Sequence, residues 1–466
     1  MFVKLFVSSV IFGSLLLGDE SFDALDGFGE EDVAVVSAPI ESPQTQEPQN
    51  YSLTGELSFK SSYGYRAHRV DGVDYEGFNQ AQSALFLQYD TKINDDWKFR
   101  ASGDGFYDAY YDLSGQNFNS DVLKTYKTQL RFDDVYLQGK ISKNLDTKIG
   151  RQIVVWGKSD SIRITDVINP LDNRLLGVTD IEDLRLSTAM AKFDYYLGSW
   201  SFSAMFIPES RIFLEPAPRG EFFPVDAIFP SAPNPFIDLE QPQNGFEDMS
   251  QMQYAVAANG VFSGWDLSFY GADVLDSRWH MQGVLPNATR EVSKIQMLGS
   301  ALNLVRGSWL FKSEVAFVDN LAYNSTTDTK SRFDALLGFD YMGISESVLS
   351  LELANRHIFA YEEQMGVKTV GVIPDFTQED EAQTALRATR SLYNDRLSAT
   401  LLTTMFGHKW EYGGFVRASL SLEIQDGLVT NFGVIEYLPP NKTERRPLMD
   451  AIRNNDRFFA DISYSF

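Results

Sequence analysis

The chain has 466 residues, no cysteine, and a formal net charge of -24 from 64 acidic and 40 basic side chains. That balance excludes nucleic-acid binding, which needs a basic footprint, and the lack of cysteine excludes disulfides and a lipoprotein anchor. Apart from the amino terminus, no stretch approaches the ~18–20 continuous apolar residues of a membrane helix. Aromatics nevertheless make up 14% of the chain, at a mean hydropathy of -0.22. A transmembrane β-barrel reconciles the two, because only every second residue of its strands meets lipid.

Residues 1–18 have the form of a signal peptide: Lys4 is the single charge, and Leu5 to Leu17 is an uncharged run too short to span a bilayer. Residues 19–49 follow as a flexible periplasmic segment. They carry Asp19, Glu20, Asp23, Asp26, Glu30, Glu31, Asp32, Glu41 and Glu47 and no Lys or Arg, with Pro39, Pro43 and Pro48 in the second half. Phe22, Leu25, Phe28, Val33, Val35 and Val36 interleave with the acids. Two readings stand: a short docking motif that orders on a partner, or a solvating leader.

From Tyr51 the period is two. Leu57, Phe59 and Tyr63 oppose Glu56, Ser58, Lys60 and Ser62; Phe99, Ala101 and Tyr107 oppose Lys98, Arg100, Ser102, Asp104 and Asp108. The same alternation sets Trp309, Phe311, Val315 and Phe317 against Lys312 and Glu314. It also sets Leu349, Leu351 and Leu353 against Glu352 and Arg356, and Val416, Ala418, Leu420 and Leu422 against Arg417 and Glu423. Polar faces bearing both signs, backed by aromatic-rich apolar faces, predict a hydrated interior and a lipid-facing exterior. Short turns at 94–96, 142–145, 198–199, 263–264 and 306–307 alternate with long segments near 64–79, 111–127, 157–182, 208–250, 277–289 and 358–394. Short periplasmic turns and long extracellular loops have this rhythm.

The expectation is an all-β, antiparallel transmembrane barrel over residues 50–466. Segments number about 17, and a single-chain bacterial barrel needs an even count, so about 16 strands are expected, with 14 and 18 open. The ambiguity is placed at 411–423 and 428–437, where one segment is miscounted or the two form one long strand broken at Asp426-Gly427.

Four stretches stand out in chain order. Gly150 to Arg174 (GRQIVVWGKSDSIRITDVINPLDNR) starts as a strand and breaks at Trp156-Gly157. Arg151, Gln152 and Trp156 are candidates for a constriction. Asp160, Asp166, Asn169, Pro170 and Asp172 lie in the loop, whose acids can pair with Arg163 or Arg174 and fold it inward. Packing of the loop without contact to cargo is the plainer alternative. Residues 208–242 are dense in proline and hold Phe222, Phe223 and Phe229, too apolar to stand in water; a lumenal lid and a packed outer loop are both open. Residues 376–396 read as a helix through Ala382, Ala385, Leu386, Ala388 and Leu392, and 442–455 as another. The last strand, RFFADISYSF, puts Phe458, Ala460, Ile462, Tyr464 and Phe466 on one face. Of these, Phe458, Ile462, Tyr464 and Phe466 are the candidate barrel-assembly signal.

The combination of GRQ, WG and DVINP-D in residues 150–174, with the closing NNDRFFADISYSF and the DALDGF of Asp23 to Phe28, resembles the domain-of-unknown-function 1302 family of Gram-negative outer-membrane proteins. The resemblance implies a β-barrel over residues 51–466 whose cargo is undefined. It also implies neighbourhood with resistance-nodulation-division exporters and a periplasmic lipid carrier, hence movement of hydrophobic molecules across the envelope.

Enzyme chemistry finds little support. His68, His280, His357 and His408 stand far apart, with no HExxH, GxSxG, P-loop or dinucleotide fingerprint. No cofactor, no metal and no catalytic residue is expected. The function expected is an outer-membrane channel for hydrophobic or amphiphilic solutes, gated by inward-folded loops. Its lumen candidates are Lys98, Arg100, Asp104, Lys312, Glu314, Glu352, Arg356 and Arg417. Rival readings are the outer-membrane component of an export system, a general diffusion porin, and an outer-membrane hydrolase. Expected partners are outer-membrane lipid and lipopolysaccharide, the barrel-assembly machinery, and an exporter or carrier docking on residues 19–36.

Overall fold

The computed structural model describes residues 50–224, 245–246, 252–282, 289–366, 375–441 and 447–466. The signal-peptide and leader assignments, the 19–36 docking stretch and Phe229 lie outside the described residues.

Eighteen strands form one antiparallel sheet that closes on itself. In chain order they are β1 (Tyr51–Gly64), β2 (Gly77–Lys92), β3 (Trp97–Asp108), β4 (Thr128–Ser142), β5 (Leu145–Gln152) and β6 (Thr188–Leu197). Next come β7 (Trp200–Ile207), β8 (Gln253–Phe262), β9 (Trp265–Leu275), β10 (Lys294–Arg306), β11 (Trp309–Leu321) and β12 (Lys330–Tyr341). The last six are β13 (Ser347–Ile358), β14 (Asp380–Leu392), β15 (Leu397–Phe406), β16 (Gly414–Gln425), β17 (Leu428–Leu438) and β18 (Arg457–Ser465). Each strand pairs with its sequence neighbours, and β18 pairs with β1, Tyr464 opposite Leu57 and Ile462 opposite Phe59. Gly55 and Phe466 exchange N–H···O bonds of 2.9 Å at that seam. Closure leaves no sheet edge running the whole circumference, which is how a sheet survives in hydrocarbon.

The count corrects the expected 16 strands to 18, and the physical reason is local. Residues 380–392 are a strand, not the helix read at 376–396. Alanine, leucine and arginine are strong helix formers, but pairing with β13 and β15 along the whole segment overrides that local preference. Near Asp426-Gly427 neither segment was miscounted: β16 and β17 are two strands of one hairpin, with Gly427 at φ 74 in the turn. Of the helix placed at 442–455, residues 447–455 are described, and Pro447–Ala451 of them are helical.

Connections at one end are short (93–96, 143–144, 198–199, 263–264, 307–308), and those at the other are long (65–76, 109–127, 153–187, 208–252, 359–379). Four strands that start at the short-connection end, β3, β7, β9 and β11, begin with a tryptophan: Trp97, Trp200, Trp265 and Trp309. Trp265 stacks on Phe262 with centroids 4.3 Å apart, and Trp309 lies 4.6 Å from Tyr341.

The alternating faces separate as the periodicity predicts. Trp309, Val315 and Phe317 are exposed outward, while Lys312 and Glu314 are buried inward. The hydrated interior needs correction on one side. Met190, Met205, Ile207, Tyr270, Val274, Met297 and Leu336 face inward and are buried. They pack on Val154, Trp156, Ile162, Ile164 and Ile168 of the 153–187 segment. Here the barrel is filled by its own chain, so the inner face is apolar wherever the loop covers it.

Candidate functional site within the barrel

The site begins where β5 leaves the wall. Gly150 has φ 131, and a Cβ there would sit 2.2 Å from Val135 O, so only glycine permits this last close rung with β4. Beyond Gln152 the chain turns inward and returns at Thr188. Asn169 ties the two ends of that excursion together. Its Oδ1 accepts from Val154 N–H (2.8 Å), and its Nδ2 donates to Leu186 O (2.8 Å) and Gln152 O (3.3 Å). Leu186 N–H adds a bond to Pro170 O at 2.8 Å. The Asn-Pro pair is therefore a staple for the loop's neck.

The outgoing limb crosses to β9–β13. Trp156 stacks on Tyr270 at 4.8 Å. Gly157 (φ 92) lies against Glu314, where a Cβ would be 2.7 Å from Oε1. The turn then points its N–H groups at two wall carboxylates, as an anion-binding nest does. Glu314 accepts from Lys158 N (2.5 Å), Ser159 N (2.8 Å), Thr165 N (3.2 Å) and Thr165 Oγ1 (2.8 Å). Glu352 accepts from Asp160 N (2.7 Å) and Ser161 N (3.1 Å). Lys312 joins Asp160 and lies 2.7 Å from Asp340, and Arg356 Nη2 donates to Arg163 O at 2.9 Å. Asp166 is paired with Arg163 (3.1 Å) and Arg185 (2.9 Å) inside the loop. Burial lowers the Arg163 pKa, against the pull of Asp166.

The tip reaches β14–β17. Asp180 pairs with Arg417 and lies 3.5 Å from Arg387. Arg417 Nη1 donates to Val178 O at 2.7 Å, and Tyr437 Oη to Leu176 O at 2.6 Å. Burial, and after it the charge of Asp180, raises the Asp183 pKa; Lys60 and Arg417 oppose. The return side meets β3 and β4: Asp172 holds Arg174 (2.5 Å) and reaches Arg131 (3.9 Å), which also pairs with Asp104 (2.8 Å). One segment thus touches most of the inner circumference.

A second inward contact comes from residues 208–224. Glu221 pairs with Arg457, whose guanidinium lies 4.8 Å from the Phe222 ring centroid. Asn455 Nδ2 donates to Glu221 O at 2.9 Å, Phe222 is buried and Phe223 half-buried. Burial raises the Glu221 pKa, and Arg457 opposes. Between these loops and the wall of β1–β4 and β18 lies a cavity of ≈ 230 Å³. Lys60, Asp104, Arg131, Arg174 and Asp183 supply its charge, and Phe106, Tyr111, Tyr126, Phe222 and Phe459 its rings.

Of the remaining sequence candidates, Gln152 is fully buried beside Met190 O, 3.3 Å from Nε2. Arg151, expected at a constriction, instead shares the outward face of the exposed Ile149 and Ile153 and pairs with Glu209. Arg100 pairs with Asp90 at 2.7 Å near the short-connection end, where Lys98 is exposed. Phe458, Ile462, Tyr464 and Phe466 face outward. His357 Nδ1 lies 3.1 Å from Asp380 Oδ1, and among the described residues no trio of metal-binding side chains converges. Glu209, Asp180, Glu221 and Arg387 escaped the sequence reading. Arg387 was hidden in the misread helix, and Glu221 had only its lone charge among phenylalanines to mark it.

The model for the family described as protein of unknown function (DUF1302) matches residues 75–466. The chain belongs to the DUF1302 family. Curated proteins give no match. Among solved structures, *Acinetobacter baumannii* OccAB1 is 9% identical and superimposes with TM-score 0.50 over 90% of this chain and 96% of that one. *Pseudomonas aeruginosa* OccK9 (OpdG) is 12% identical with TM-score 0.50 over 90% and 98%. The *P. aeruginosa* outer membrane protein OpdK is 12% identical with TM-score 0.49 over 89% and 99%. At such identities the likeness speaks for the fold alone: a closed antiparallel barrel of the outer-membrane kind.

Proposed function

We propose that this DUF1302 protein is an outer-membrane channel for amphiphilic solutes, gated by its own inward loops. The short connections face the periplasm and the long ones the exterior. One observation carries the reading: the 153–187 segment is folded into the barrel and held there by wall charges, chiefly Glu314, Glu352, Lys312 and Arg417. Passage along the axis requires its displacement. The cavity left beside it combines charged and aromatic lining, the pairing that suits a solute with one polar and one apolar part.

Planar-bilayer recording on the purified protein tests this. Unmodified protein should be almost silent, with brief openings, and the double variant Glu314→Ala, Glu352→Ala should conduct more and for longer. Large, steady, weakly selective currents from the unmodified protein would instead make it a general diffusion porin.

A further inference from the structure

Strand β4 is paired unequally along its two sides. Toward β3 its partners run from Thr128 to Gly139, whereas toward β5 they run only from Val135 to Ser142. Among the described residues, 128–134 therefore have a strand edge without a strand beside it, roughly 20 Å long at ~3.3 Å per residue. Leu130, 90% exposed, and Phe132, 72% exposed, point outward from that edge. Backbone polar groups along an open edge are costly at the depth of hydrocarbon, so other polar atoms must stand there.

The inward loop supplies them. Ser187 Oγ donates to Asp133 O at 2.5 Å, and Asp172 lies 3.9 Å from Arg131. Both belong to the return limb, residues 171–187, which meets the edge through side chains rather than a ladder. Its outgoing counterpart is set in the dry core with Trp156 and Ile162. Behind the return limb lies the cavity, and Gln129 and Arg131 of the open edge line it, near Phe106 and Tyr126.

Resting on the channel reading above, we propose that the 171–187 limb is a movable panel in the barrel wall. A single-chain amphiphile dissolved in the bilayer passes between lipid and cavity through the gap between β4 and β5. The chain moves past Leu130 and Phe132, and the headgroup follows Gln129, Arg131 and Asp133.

The chain has no cysteine, so Asp133→Cys with Ser187→Cys can be bridged by a reducible bis-methanethiosulfonate reagent in the full-length protein in vesicles. The probe is a photoactivatable long-chain fatty acid dissolved in those vesicles, with adducts mapped by mass spectrometry. Adducts on Phe106, Tyr126 or Leu175 in the unmodified and reduced proteins, lost on bridging while Leu130 remains labelled, are expected. Equal cavity labelling in bridged and reduced protein overturns the panel, and so does an unmodified protein labelled at Leu130 but never in the cavity. Conductance of the bridged protein is recorded in parallel, so a wrong panel is told apart from a wrong channel.

Discussion

Glu314 shows how a residue's role depends on what is folded against it. Its side chain lies on the inner face of β11, and four donors of the inward loop converge on its two oxygens. Removing the carboxylate strands those donors at about 1–3 kcal/mol each, enough to undock a loop whose neck stays stapled by Asn169. Glu314→Ala should therefore expose the 158–163 turn, and trypsin should then cut after Lys158 and Arg163 in folded protein that resists when unmodified. Gly157→Ala should act the same way, because the added Cβ meets the Glu314 carboxylate and φ 92 disfavours any side chain. Continued resistance in both variants would remove Glu314 from the docking role. From sequence, Glu314 was legible as an inward charge and not as an acceptor for a segment some 150 positions away.

Strand β14 is the element on which sequence and structure part most clearly. Its alanines and leucines fit a weak helical stripe, yet the residues around Leu386 take alternate sides of a strand. Leu386 is exposed outward, while Ala385 is buried and Arg387 reaches Asp180 inside. A charge at Leu386 should cost about 2–4 kcal/mol of folding stability in lipid if it lies near the bilayer midplane. Folding titrations of Leu386→Arg in vesicles read this, with the inward Gln383→Arg as the comparison expected to cost far less. Equal effects at both positions would mean that the two faces of the strand are not lipid and lumen. Strands such as β11 and β13 were legible because their outward apolar positions are mostly aromatic or leucine, large enough to make the period plain.

At the scale of the molecule, the asymmetry of the connections makes a directional prediction. With the short turns in the periplasm, Glu76→Cys in the 65–76 connection should react with a membrane-impermeant thiol reagent on intact cells. Asp95→Cys in the 93–96 turn should react only after the outer membrane is opened. Reversal of that pattern would invert the barrel. The interior is asymmetric as well: a dry, loop-filled side along β6–β14 faces a cavity along β1–β4 and β18. On the proposed channel reading, solute would move on the cavity side, where Lys60, Asp104, Arg131 and Arg174 line open space.

Alternation is a property of neighbouring residues, so the amino-acid order by itself determined that this is a sheet, which side of most strands meets lipid, and where the chain turns. Closure at eighteen strands needed β14 to find β13 and β15. The filled interior needed residues near 160 and 180 to meet partners on strands hundreds of positions later. Such contacts depend on how far each segment folds inward. That depth is chosen by packing and charge pairing across the barrel, which no local pattern encodes.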